Sequence, residues 1–332
     1  MATSPDLFAL PVSEADLTTL EHELRVAVVR GDEFLDDVVT HLIVAGGKRI
    51  RPALALAAAS LSGVPASADT IQGGIAVELV HLASLYHDDV MDEALIRRQV
   101  PSVNARWGNL IAIVAGDFLL ARSAEIAASL GSEIGSLLAV TLARLCQGQI
   151  AETRSSFHAS RSEDEYLRSI ADKTSALMAT SCRIGALTAG LDPIAVEALT
   201  NFGECFGGVF QIRDDVMDVI STEKELGKPP GQDLAEGIYT LPVQRALRDG
   251  AVAPRLLELL GRPLSPNEVT IARNLIMDSG GIKDSMGVAR RFAEQAALSL
   301  EVFADSPIAK SLALLPFALL DDLERSASAY VS

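Results

Sequence analysis

Residues 79–92 read Leu-Val-His-Leu-Ala-Ser-Leu-Tyr-His-Asp-Asp-Val-Met-Asp, and the last five, Asp88–Asp92, return unchanged as Asp214–Asp218. Each copy follows an apolar stretch with helical spacing. On a helix, Asp88 and Asp92 lie one turn apart on one face, with Asp89 adjacent to Asp92; Asp214, Asp215 and Asp218 repeat that geometry. Like charges at this spacing weaken an isolated helix, so both clusters call for something positive. A hard divalent cation such as magnesium answers that need, because it takes oxygen ligands and keeps waters and a substrate phosphate in its shell. A solvated acidic face would account for one such run. Two identical runs in apolar surroundings point instead to two helices facing each other across a bundle, with metal between them.

Composition supports a helical reading. The chain has 332 residues, room for one large domain or two ordinary ones. Aromatic residues are only 5% while hydrophobic residues reach 49%, with Ala and Leu dominant, which favours helix over strand. The net charge of −16 argues against a nucleic-acid partner. It also opposes strong attraction to anionic lipid, while leaving room for weak apolar contact with a membrane. Cys146, Cys182 and Cys205 have no metal-ligand spacing and read as buried thiols in a reducing cytoplasm. The first residues lack the positive start and apolar run of a signal peptide. No stretch of about 18 residues is wholly apolar, so no transmembrane segment is expected and the protein reads as cytoplasmic.

Residues 1–12 read as a flexible leader, and 13–332 as a single all-helical domain. Ser162–Glu165 reads as a capping box. Asp192-Pro193 is an N-cap followed by proline at the first helical position. Ser265-Pro-Asn-Glu268 combines all three start signals. Gly280-Gly281 reads as a stop before a helix near Met286–Phe303. The segment Ser221–Thr240, rich in Gly, Pro and charge, directly follows the second acidic string and is expected to be a lid over it.

Basic groups stand near both strings. Gly46-Gly-Lys-Arg-Ile-Arg-Pro52 is a compact basic segment, and Arg97-Arg98 follows the first cluster. Arg grips phosphate with a planar fork and Lys acts as a point charge, so cations beside metal-binding carboxylates fit a diphosphate substrate. The ordered set of Gly46–Pro52, His87–Arg98, Gly116-Asp117, Lys173-Thr174, Gln211–Asp218, Gly227-Lys228 and Thr240-Leu-Pro242 resembles the trans-isoprenyl diphosphate synthases, in particular the longer-chain all-trans-polyprenyl diphosphate synthases.

The resemblance implies an all-α antiparallel helical bundle around a central cavity, of the isoprenoid synthase type. It implies Asp88, Asp92 and Asp214 as direct ligands of a magnesium cluster of three ions. Asp218 completes the metal set, with Asp89 and Asp215 acting through water or charge. Lys48, Arg51, His81 and Arg98 resemble the groups that bind isopentenyl diphosphate; Arg97, Lys173 and Lys228 resemble those that bind the allylic diphosphate. Thr174 and Gln211 would present oxygen dipoles to the developing carbocation. A homodimer is also implied. Two positions depart from the family pattern: Gln99 stands where glycine commonly follows the arginine pair, and Ile238 where lysine often precedes the lid threonine.

The expected reaction is ionisation, condensation and proton loss, with the released diphosphate as base and the lid excluding water. Below Asp88, the residues four and five positions earlier, Ser84 and Ala83, are small, and Val80 and Val77 lie deeper on the same face. In the family a bulky aromatic there closes the product tunnel, so its absence implies six to ten isoprene units. Tyr86 should face elsewhere. The alternatives are a short-chain geranylgeranyl or farnesyl diphosphate synthase, a terpene cyclase, and a non-catalytic partner subunit. The second full acidic string and the basic segment disfavour the last two.

Overall fold

The computed structural model describes residues 10–223 and 229–331, with side chains described as far as residue 327. The chain runs through α1 (Glu14–Val28), α2 (Glu33–Val44), α3 (Ile50–Ser60) and α4 (Ala68–Met91). A two-stranded hairpin follows, β1 (Ile96–Arg97) and β2 (Val100–Pro101), then α5 (Val103–Trp107), α6 (Asn109–Ser129) and α7 (Ser132–Arg154). α8 (Glu163–Ile170) passes through a π-turn, Ala171–Ser175, into α9 (Ala176–Thr188), and α10 (Pro193–Ile220) carries the second acidic string. α11 (Gln232–Ala235), α12 (Leu241–Ala246), α13 (Ala253–Leu259), α14 (Pro266–Asp278), α15 (Gly281–Ser299) and α16 (Pro307–Val331) complete it. The architecture is the expected all-α antiparallel bundle, and that hairpin is the only sheet among the described residues.

The caps form where the sequence places them. Ser162 Oγ accepts from Glu165 N–H while Glu165 accepts from Ser162 N–H at 2.8 Å. Ser265 and Glu268 make the same reciprocal pair. Asp192 Oδ1 accepts from the N–H groups of Ile194 and Ala195 ahead of α10. One boundary differs. Gly281 opens α15 itself, five residues before the expected start, and the helix gives way to a 3-10 turn over Glu301–Phe303. Ser279 Oγ accepts from Gly281 N–H at 3.0 Å, and a Cβ at Gly281 would lie 2.6 Å from Pro242 O. The expected break is there, since α14 ends at Asp278, and close packing on α12 requires the glycine that opens α15.

Two apolar clusters fill the interior. One gathers α1, α2, α4, α6 and α7; the other gathers α10, α12, α14, α15 and α16. Helices α3 and α9 contribute to both, Leu54 and Met178 on one side and Leu56 and Leu177 on the other. This places α4 and α10, the carriers of the acidic strings, on opposite sides of a shared partition.

Residues 1–9 of the leader, and Lys228 and Gly227 in the lid, lie outside the described residues. Leu10 and Val12 pack against the apolar clusters, so the end of the leader is held down. All three thiols are free, but only Cys182 is buried; Cys146 lies exposed on α7. α7 is also long and apolar enough by composition to cross a bilayer, although it is interrupted by polar residues, and only 28% of that stretch is buried.

Candidate active site

Both acidic strings sit at the C-terminal ends of their helices. α4 stops at Met91, leaving Asp92 as its C-cap, and α10 stops two residues beyond Asp218. The helix dipole is negative there, so carboxylates at these ends raise the local negative potential and deepen the demand for cations. The two ends meet across a cavity of about 790 Å³ whose wall includes Asp92, Arg97, Glu152, Lys173, Gln211 and Asp215.

The carboxylates differ in environment. Burial raises the Asp88 carboxyl to about 6, with Lys173 and Arg97 pulling it down and Asp92 and Glu152 pushing it up. Asp89 has a fully buried side chain and pairs with Arg97 at 2.6 Å, so Arg97 is partly committed before any substrate arrives. Burial also raises Asp215, which is held by the Tyr166 hydroxyl through Oδ2 at 2.5 Å and by Gln211 Nε2 through Oδ1 at 2.8 Å. Asp214 is half exposed and pairs with Arg213 at 3.3 Å; Arg213 in turn binds Asp322 of α16 at 2.6 Å. Asp218 is buried and anchors the start of α11, its carbonyl accepting from Gly231 N–H at 2.9 Å and its Oδ2 from Asp233 N–H at 3.3 Å.

The π-turn places the catalytic candidates. An inserted residue widens the helix over Ala171–Ser175, and two glycines let it be gripped from both sides. A Cβ at Gly148 of α7 would come within 2.6 Å of Lys173 N, and one at Gly207 of α10 within 2.5 Å of Ser175 Cα. Lys173 forms an ion pair with Glu152 and feels the fields of Asp88 and Asp92. Thr174 Oγ1 donates to Gln211 Oε1 at 2.6 Å, leaving the threonine lone pairs and the second lone pair of the amide oxygen as acceptors.

A second basic group lies beside α4. Arg51, His81 and Arg98 share one electrostatic neighbourhood around the buried Glu78. Burial, then the nearby Arg51 and Arg98, hold His81 well below its ordinary value, so it is neutral at pH 7 and offers a hydrogen bond instead of a charge. Arg98 donates to Leu42 O at 2.7 Å and to Gly46 O, and its guanidinium occupies the space a Cβ on Gly47 would need. Arg98 and Gln99 both have positive φ, 52° and 64°, the pattern of a tight two-residue hairpin turn. Gln99 therefore keeps the turn in the conformation glycine would take, at the expense of backbone strain. Lys48 is exposed and lines a separate groove against α1, so it is not gathered with the other three.

Several site residues carried no recognisable signal. Glu152 and Gln149 lie on α7 facing the cavity, and Tyr166 of α8 reaches it from another element. Glu78 and Arg49 form a buried ion pair at 3.1 Å behind Arg51. Isolated polar residues on apolar helices look like ordinary core groups until the tertiary fold shows what they face.

The residues present fit a divalent cation. The donors are oxygens throughout, and Gln149 Oε1 and Asp89 Oδ2 are buried without hydrogen-bond partners. Among the described residues no three acidic, His or Cys groups converge closely enough to cage a bare ion. An ion here would share its shell with water and phosphate oxygens, as magnesium does.

A family profile described as polyprenyl synthetase matches residues 32–276. The chain is 39% identical to nonaprenyl diphosphate synthase of Mycobacterium tuberculosis, over 93% of this chain and 92% of that one. Its structure is similar to heptaprenyl diphosphate synthase from Staphylococcus aureus, with a TM-score of 0.87, 30% identity, and coverage of 92% and 97% of the two chains. It is also similar to geranylgeranyl pyrophosphate synthase from Corynebacterium glutamicum, complexed with calcium and isoprenyl diphosphate, with a TM-score of 0.82, 37% identity, and coverage of 93% and 95%.

Proposed function

The chain belongs to the polyprenyl synthetase family and is a prenyltransferase, and we propose that it condenses isopentenyl diphosphate with an allylic diphosphate to make an all-trans-polyprenyl diphosphate of six to ten isoprene units. The observation that carries this reading is that Asp92 of the first string and Asp215 of the second line one cavity with Arg97 and Lys173.

Asp88, Asp92, Asp214 and Asp218 would hold magnesium, which when bound supplies Lewis-acid stabilisation of the departing diphosphate. Arg97 and Lys173 add fixed positive charge to the same oxygens, each by exchanging its present carboxylate partner for phosphate. Thr174 and Gln211, locked to each other, direct their remaining lone pairs at the developing cation. Arg51, Arg98 and neutral His81 would receive isopentenyl diphosphate beside α4, with Lys48 swinging in from its groove. Lid residues anchored on Asp218 keep water from the cation.

The long product is supported by small residues: Ser84 is half-buried, and Ala83, Val80 and Val77 lie in the apolar cluster beneath Asp88. Tyr86 points away as expected, donating to Val38 O at 2.8 Å. We also propose a homodimer. The exposed apolar side chains Leu110, Ile113 and Val114 of α6 and Val140 and Ile150 of α7 lie on two helices in contact with each other, and a second copy would cover them. The unpaired thiols suit a reducing cytoplasm.

Incubating purified protein with magnesium, an allylic primer and radiolabelled isopentenyl diphosphate tests the reading, with mass analysis of the extracted products. Products of six to ten units are expected. A product that stops at three or four units replaces the chain-length assignment, and a cyclic hydrocarbon or no product overturns the condensation.

A further inference from the structure

Three cations line the aspartate cavity among the described residues, and two are engaged by carboxylates, Arg97 by Asp89 and Lys173 by Glu152. The third, Arg161, is not. It is only 9% exposed, its Nε has no hydrogen-bond partner, and no described carboxylate pairs with it. Glu152, Asp215 and Glu165 reach it through their fields alone. Its guanidinium carbon lies 5.7 Å from the ring centre of Tyr166, the residue whose hydroxyl holds Asp215. The loop that carries it is pinned to the lid, because Phe157 N–H donates to Gly237 O at 2.8 Å and Arg161 N–H donates to His158 O at 3.1 Å. Arg161 also lines an adjoining basin of about 660 Å³ that contains Arg154 and Arg168. On the lid side of the same cavity, the apolar Ile238 brings no cation.

A guanidinium this deep without an anion is unfavourable, since its desolvation is not repaid by a pair. The carboxylates whose fields now offset it include Asp215, which belongs to the acidic string that metal would neutralise. A diphosphate delivered to the cavity supplies the missing partner, and the planar fork of Arg suits two phosphate oxygens at once.

We propose that Arg161 is a substrate-binding residue that grips the diphosphate of the allylic substrate, supplying the positive charge that the lid lacks at Ile238. This rests on the prenyl-transfer reading above. Steady-state kinetics of Arg161→Met and Arg161→Lys, varying each substrate separately, test it. The Met variant raises KM for the allylic diphosphate about tenfold, equivalent to roughly 1.4 kcal/mol. KM for isopentenyl diphosphate stays within about twofold, and Lys recovers part of the loss. The ligand-free Met variant melts at the same temperature or higher, because an unpaired buried charge has been removed. Its upward thermal shift with magnesium and inorganic pyrophosphate is smaller than that of the unaltered protein. An unchanged allylic KM, or equal rises in both KM values with a lower melting point, overturns the assignment. If the unaltered protein transfers no prenyl group, the functional reading fails instead, and the pyrophosphate shift still decides whether Arg161 binds diphosphate.

Discussion

Gln211 Nε2 donates to Asp215 Oδ1 at 2.8 Å, one turn along α10, and this bond ties the Gln211 amide to the second acidic string. The chain of contacts continues in both directions, to Thr174 on the π-turn and through Asp215 to Tyr166. The proposed metal ligands and the proposed cation-stabilising pair are thus braced by one hydrogen-bonded network, and a change at either end is felt at the other.

Removing the Tyr166 hydroxyl tests that brace. Tyr166→Phe leaves Asp215 Oδ2 buried without its donor, which costs about 1–3 kcal/mol. Urea unfolding should show the loss in magnesium-free buffer. The variant should also bind magnesium with pyrophosphate more weakly, and equal affinity would remove Tyr166 from the network's function.

Asp88→Ala should reduce turnover by several orders of magnitude, since each ~1.4 kcal/mol of lost stabilisation is a factor of ten. The fold should persist, because a buried carboxyl already raised to about 6 is removed. Near-normal turnover would exclude Asp88 as a ligand.

The same carboxyl sets a pH dependence. Its folded value of about 6 lies above the ordinary 3.8, so folding favours the protonated form. In metal-free protein this contribution to stability is complete below about pH 4 and is lost as pH rises through about 6. As a magnesium ligand Asp88 would have to be ionised, so its raised value would weaken metal binding at low pH. The thermal shift produced by magnesium and pyrophosphate should therefore grow between about pH 5 and 7. Asp88→Asn should flatten that slope, and an unchanged slope assigns it to another group.

Gln99→Gly should stabilise the hairpin. Relief of about 1–2 kcal/mol of left-handed strain outweighs roughly 0.5–1 kcal/mol of extra unfolded-chain entropy, a net gain on the order of 0.5 kcal/mol. Chemical denaturation can resolve the sign, and a loss of stability would show that Gln99 makes contacts its exposure does not reveal.

Ala83→Phe should shorten the product. Ala83 is fully buried in the apolar cluster on α4, and under the proposed chain-length reading a ring there would fill space that the growing chain needs. Overpacking should also destabilise the protein by about 1–3 kcal/mol, so product length is read at a temperature where the variant is folded. An unaltered product distribution would sink the role of this helix face in setting length.

The sequence by itself determined the helical class, the caps at Ser162, Asp192 and Ser265, and the two acidic strings, because these depend on local spacing and on hydrogen bonds within three or four residues. It also marked Gln99 and Ile238 as departures. It did not determine that Gly281 begins a helix, that Lys48 faces α1, or that Cys146 is exposed, since each depends on which neighbour packs there. Glu152, Tyr166 and Arg161 became site residues only when α7, α8 and the lid converged on one cavity. Charge patterns over one or two turns are written in the chain, whereas the partner of a lone polar side chain is decided by contacts between elements distant in sequence, which tertiary packing alone creates.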